Sequence, residues 1–173
     1  MVQQDEQTQQ ALSYVRHQAA KPLADLGALM ERTAADCDRC LEGITDRQAE
    51  FKYDSEWSVK EVLGHLIGAM ALVNGDIFQV AQGKEPRPAY VEGPTSGYER
   101  AIEDLRGALA REWSETVRLV RSLSEQLGQK AMPPHPMFGP LNTKEWIAFA
   151  RLHAMDHVQQ IEKVKATPGY PQN

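Results

Sequence analysis

Two of the five histidines in this 173-residue chain, His153 and His157, are four residues apart. On a helix that spacing puts both imidazoles on one face, with Cβ atoms about 6 Å apart. A helical wheel places Trp146, Phe149, Ala150, Gln160, Ile161 and Val164 within about 80° of His153. The pair therefore lies within an apolar stripe. A buried imidazole needs a hydrogen-bond partner or a metal ion. Two side by side repel when both are protonated, and a shared cation removes that conflict while fixing the neutral form.

A third histidine comes from a separate segment. His65 lies at one edge of the stripe Val59, Val62, Leu63, Leu66, Met70, Val73 and Ile77, beside Ala69, Leu72 and Asp76. Gly64 and Gly68 leave room there for a neighbouring helix or a ligand. Three histidines from two helices make a facial donor set with positions open to water or substrate, the pattern of a catalytic metal site. The competing reading is three core histidines bonded to their surroundings. The motif is not the H-E-x-x-H of a zinc protease, because Ala154 stands where the catalytic glutamate belongs.

Other polar residues are weighed by position. Gln160 shares the histidine face one turn beyond His157; it could bond a metal-bound water or ligand, or satisfy a core group. His135 sits in a proline-rich loop before the last helix. Its readings are a fourth ligand, an acid/base, a lid residue or a plain loop histidine. Asp156 reads as a solvated charge, and His17 as a surface residue. Cys37 and Cys40 form a lone C-x-x-C with neither a second pair for zinc nor a preceding strand, and they share a stripe with apolar neighbours. They read as buried small apolar residues.

The elements that must position these groups are helices. Periodicity near 3.6 dominates and nothing alternates for long. The first helical stretch covers about 6–43, with Pro22 kinking or splitting it; its stripe is Leu26, Met30, Thr33, Cys37, Leu41 and Ile44. After a polar connection at 45–57, Ser58 and Glu61 form a capping box for a helix over about 59–82. A Pro/Gly-rich loop follows at 84–96. A third helix is predicted over 97–127, with Tyr98, Ile102, Leu105, Leu109, Trp113, Val117, Val120, Leu123 and Leu127 as its stripe. The segment 129–141 is too rich in proline for a helix. Asn142 or Thr143 caps a fourth helix to about 166. The economical fold is all-α: an antiparallel four-helix bundle over about 23–166 with an N-terminal helical extension over about 1–22, in a single domain.

Composition narrows the function classes. Lys+Arg number 19 and Asp+Glu 24, for a net charge of −5; 42% of residues are apolar. The acidic balance disfavours nucleic acid and an anionic membrane surface as partners. No run approaches the ~18 apolar residues of a spanning segment. Met1–Glu6 shows no secretory leader pattern, so the expected location is the cytoplasm.

At this point the residues carry a resemblance. The stretch Trp57-Ser58-Val59-Lys60-Glu61-Val62-Leu63-Gly64-His65-Leu66 resembles the W-S-x-x-E-x-x-x-H-L signature of the DinB-like superfamily. His153-Ala154-Met155-Asp156-His157-Val158-Gln159-Gln160-Ile161 resembles its H-x-x-x-H-x-x-Q-I, and His135-Pro136-Met137-Phe138-Gly139 with Glu145-Trp146 resembles its H-P-x-x-G … E-W. The likeness covers most of 24–166. It implies a four-helix bundle holding a divalent metal on His65, His153 and His157, with zinc first and nickel, iron or manganese as other candidates. Relatives include S-transferases using bacillithiol or mycothiol and a mycothiol-dependent maleylpyruvate isomerase; many are dimers. The resemblance thus implies a metal-dependent enzyme that activates a low-molecular-weight thiol or water toward a small electrophile, and a homodimer. The alternative is a non-enzymatic metal- or small-ligand-binding protein of stress response.

Overall fold

Pro22 splits the first helical stretch. In the computed structural model, which describes residues 2–86 and 98–172, α1 spans Val2–Ala19 and α2 spans Leu23–Cys40. A short α3 (Asp46–Ala49) precedes α4 (Val59–Ala81). Then come α5 (Ile102–Ser122), α6 (Glu125–Gly128) and α7 (Thr143–Lys165). The helix predicted over 97–127 is therefore shorter. Tyr98 lies in a turn before it, Leu123 is extended, and Ser124 starts α6 by accepting from the Leu127 amide. The polar connection at 45–57 also contains α3. Most of the loop at 84–96 lies outside the described residues.

Four long helices, α2, α4, α5 and α7, form the bundle, and α1 packs outside on α7. The core is the predicted stripes meeting: Leu26, Met30, Leu63, Leu66, Leu105 and Ile147 are almost wholly shielded from solvent. Trp113 is buried in the same cluster. Among the described residues, α4 alone is long and apolar enough to cross a membrane, contrary to the expectation that no stretch qualifies. Its burial among the other helices gives its composition a different reason: it is the core helix.

Helix order is set by how the helices start. α4 and α7 begin with capping boxes. Ser58 Oγ accepts from the Glu61 amide at 3.3 Å, and Glu61 Oε2 accepts from the Ser58 amide at 2.8 Å. Asn142 and Glu145 repeat the exchange at 2.9 and 2.7 Å. α2 and α5 follow Pro22 and Ala101, whose side chains hold no acceptor. Their first amides find distant carboxylates instead. Leu23 N donates to Glu125 Oε1 at 2.7 Å, and Ile102 N donates to Asp46 Oδ1 at 2.9 Å.

Each of these carboxylates is gripped by a buried lysine in the first turn of another helix. Lys60 Nζ lies 2.7 Å from Asp46 and 2.6 Å from Glu50; Lys144 Nζ lies 2.9 Å from Glu125. A Cβ at Gly128 would stand 2.9 Å from the Lys144 stem, so that lysine requires glycine beside it.

Asp46 thus gathers the starts of α4 and α5 at one end of the bundle, and Glu125 gathers the starts of α2 and α7 at the other. Lys165 Nζ donates to Cys40 O at 3.1 Å, joining the ends of α7 and α2. The bundle is therefore antiparallel across its α2–α5 and α4–α7 faces and parallel across α4–α5 and α2–α7.

The two capping carboxylates give stability a pH dependence. The Lys60 bond and the Ile102 amide hold Asp46 below its ordinary 3.8; the Leu23 amide and Lys144 hold Glu125 below 4.5. A depressed folded-state pKa contributes stability that is present above the unfolded value and lost as pH falls through the folded one. Asp46→Asn with Glu125→Gln should lower the melting temperature at neutral pH and flatten its fall below about pH 4.5. Unchanged slopes in melts across that range would refute the capping role.

Cys37 and Cys40 are buried and free. Burial is the main cause pushing each thiol up to about 12. Because the thiolate is the reactive form, Ellman's reagent should find no thiol in the native chain and both in guanidinium. Rapid native labelling would refute their burial.

Candidate metal centre

α4 and α7 run antiparallel, and that brings His65 to the histidine pair. His153 Nε2 lies 3.0 Å from His65 Nε2 and 3.0 Å from His157 Nε2. One donor atom from each ring lies within 4.8 Å of the others. A ring nitrogen carries one proton or one lone pair. His153 Nε2 therefore cannot form a full N–H···N bond with both neighbours. Three lone pairs aimed at one cation satisfy all three. Two nitrogens about 2.1 Å from a common zinc ion, at angles between about 90° and 110°, are about 3.0–3.4 Å apart. The donor set fits a divalent ion.

The surroundings fix the rings in place. Trp57 stacks on His157 with ring centres 6.2 Å apart and packs against His65 at 5.2 Å. Phe149 stacks on His153 at 5.5 Å. His157 Nδ1 and Gln160 Oε1 are 2.8 Å apart. An amide oxygen only accepts, so the His157 proton sits on Nδ1 and the Nε2 lone pair faces the cluster. Burial, then the neighbouring histidines, push His153 down to about 3. Burial also lowers His157. Both rings are therefore neutral, as ligands must be, at physiological pH.

His135 is buried at the side of this group. Its loop closes on itself: His135 and Gly139 exchange two backbone bonds of 2.8 Å, in a turn where Gly139 takes φ +70°. His135 Nδ1 accepts from the amides of Met137 (3.1 Å) and Phe138 (3.3 Å), which places the ring proton on Nε2. The ring packs among Phe138, Trp146 and Phe149. Trp146 Nε1 donates to Pro133 O at 2.9 Å and ties the loop to α7.

A cavity of about 420 Å³ opens onto His65, His153 and His135. Asp156 is exposed, as expected of a solvated charge, yet it also forms part of this cavity's wall. His17 is exposed on α1, away from the site. The sequence reading assigned no role to Trp57, although it stands in the quoted signature, nor to Phe149, although the wheel placed it beside His153. It had no signal for the α1 residues in the cavity wall.

The molecule is thus a helical bundle whose apolar seam is interrupted by three converging imidazoles, two of which, His65 and His153, line a cavity. Comparison with known proteins agrees with that class. Residues 29–161 match the sequence profile of the DinB superfamily, and the chain belongs to it. It is similar to YuaE, an uncharacterized protein of Bacillus subtilis (strain 168). The two are 25% identical over 150 residues, 72% of this chain and 88% of that protein. Its fold is similar to that of YfiT from Bacillus subtilis, described as a probable metal-dependent hydrolase with an unusual four-helix bundle topology. That match has a TM-score of 0.71 and 17% identity, covering 88% of this chain and 90% of YfiT.

Proposed function

We propose that this protein is a metal-dependent enzyme in which water or a small thiol attacks a small electrophile. The observation that carries the reading is the convergence of three imidazoles, with no fourth protein ligand in their group among the described residues, and with His65 and His153 in the wall of a cavity. His65, His153 and His157 would hold a divalent ion, zinc in the first instance. Such an ion lowers the pKa of a bound water or thiol toward neutrality and so supplies a nucleophile at physiological pH.

The chain's own residues do the rest. Gln160 holds the His157 proton on Nδ1. Trp57 and Phe149 orient the rings. Phe138, Trp146 and Phe149 keep bulk water from the reacting groups. His135 presents the proton on Nε2, and burial holds its pKa below the usual histidine value. At neutral pH it acts as a hydrogen-bond donor to charge developing on the electrophile or leaving group.

The test uses zinc-loaded protein with two substrates: p-nitrophenyl acetate alone, and chlorodinitrobenzene with a thiol. Turnover of either, lost in His65→Ala and reduced about 10²–10⁴-fold in His135→Ala with full zinc occupancy, supports the reading. Zinc-saturated protein that turns over neither substrate counts against it.

A further inference from the structure

A second cavity, of about 410 Å³, opens between α2 and α5. It shares no lining residue with the cavity at the metal centre. Small side chains border it, Ala34 and Cys37 from α2 and Ala110 and Ser114 from α5, where larger residues would close the seam. Leu41, Leu109 and Val117 make its remaining walls apolar.

Among the described lining residues the charged ones are Glu31, Asp38 and Arg106, and each has its opposite beside it. Glu31 pairs with Arg121, and Arg106 pairs with Asp38 at 3.0 Å and Glu103 at 3.1 Å. An ionic occupant would be desolvated there without an unpaired charge to meet it.

The unmet hydrogen-bonding capacity of this cavity lies on the donor side. Trp113, in its wall, is 3% exposed, and its Nε1 is buried without a hydrogen-bond partner. Arg106 Nε is in the same condition. Both groups can only donate. Cys37 is the side chain beside the indole. Burial pushes its thiol up to about 12, against a weaker opposite pull from the Trp113 N–H, so at neutral pH the sulfur is uncharged and a poor acceptor. A turn of Cys37 to another rotamer opens the indole N–H to a stronger one.

We propose that the cavity between α2 and α5 is a second binding site, for a small uncharged molecule with an apolar body and a carbonyl-type oxygen that accepts from Trp113 Nε1. The volume suits one or two rings.

The experiment is a titration of the uniformly isotope-labelled full chain, followed by proton–nitrogen correlation spectra. The chain has three indole N–H groups. Trp113 reports on this cavity and Trp146 on the one at the metal centre. Acetophenone supplies the oxygen, isopropenylbenzene nearly the same shape without it, and benzoate a charge. Acetophenone should move the Trp113 indole signal downfield and saturate. Ala34→Leu and Ala110→Leu fill the space at half-buried and exposed positions, and each should weaken both neutral probes at least about tenfold. Ala35→Leu, exposed and outside the cavity, should change nothing. Trp113→Phe, read from the Ser114 backbone amide, should weaken acetophenone at least about threefold more than isopropenylbenzene.

Acetophenone that moves Trp146 and leaves Trp113 in place overturns the site, as does wild-type affinity in both filling variants. Those variants decide the matter even if Trp113→Phe fails to fold. Benzoate binding as tightly as acetophenone overturns the uncharged class. Equal losses of the two neutral probes in Trp113→Phe overturn the role of the indole. A Trp113 signal that shifts on dilution without any probe places a second copy of the chain in the groove and overturns the assignment. No outcome depends on zinc, so loss of the metal reading would leave this one standing.

Discussion

Untagged wild-type protein loaded with zinc and passed through a desalting column should retain about one zinc per chain. His65→Ala, His153→Ala and His157→Ala should each retain less than about a tenth of that. The three nitrogens form one group, so losing any member leaves two imidazoles and too few protein ligands for a stable site. His153 is the stringent case, since its Nε2 lies 3.0 Å from both of the others. Gln160→Ala should behave differently. It removes the acceptor that fixes the His157 tautomer, and loss of such an outer partner lowers metal affinity about 10–100-fold without abolishing the site. Elemental mass spectrometry gives the stoichiometry and competition with a chelator gives the affinity. Wild-type protein that stays metal-free after incubation with zinc, nickel and manganese would remove the metal centre. It would leave three histidines bonded within a core.

Trp146→Ala should produce the largest loss of stability, about 3–5 kcal/mol by urea unfolding. The side chain is 7% exposed and packs on His135 and Phe149. Its Nε1 also clamps the His135 loop through Pro133 O. Trp146→Phe keeps most of the ring packing and deletes only that bond. Loss of that bond to a half-buried carbonyl accounts for about 0.5–1.5 kcal/mol. Zinc occupancy should survive both changes, because the Trp146 ring packs against His135 and Phe149 rather than the three-histidine group. Equal, small losses in the two variants would mean that the loop is held elsewhere.

The sequence pattern made the all-α bundle and the shared face of its histidine pair legible, but not the directions of its helices. Spacing alone put His153 and His157 on one apolar face, and the bundle confirms the placement. Edge position directed His65 toward a neighbouring helix, but its 3.0 Å approach depends on α4 and α7 running antiparallel. That direction is fixed by Asp46 and Glu125, which bond helix starts far away in sequence and so leave no local signature. The same physics hid the beginning of α5. Its apolar period continues back to Tyr98, yet the helix starts where the Ile102 amide meets Asp46. Its end was masked by Leu127, whose side chain keeps the period and packs on the core after the backbone has left the helix at Leu123. The cavity wall from α1 was illegible because small and polar residues such as Thr8 and Ala11 acquire meaning only from what they face.

The borrowed caps have a consequence for how this protein opens. The first amides of a helix ordinarily exchange with solvent by local fraying. Those of Leu23 and Ile102 are bonded to carboxylates 102 and 56 residues away in the chain. Fraying either start requires undocking a separate segment, the α6 turn or the α3 turn, together with the lysine that grips it. In native-state hydrogen exchange these two amides should therefore report sub-global or whole-molecule unfolding, while the first turn of α1 reports local motion. α2 and α5 have no beginning of their own; their ends exist only in the assembled bundle.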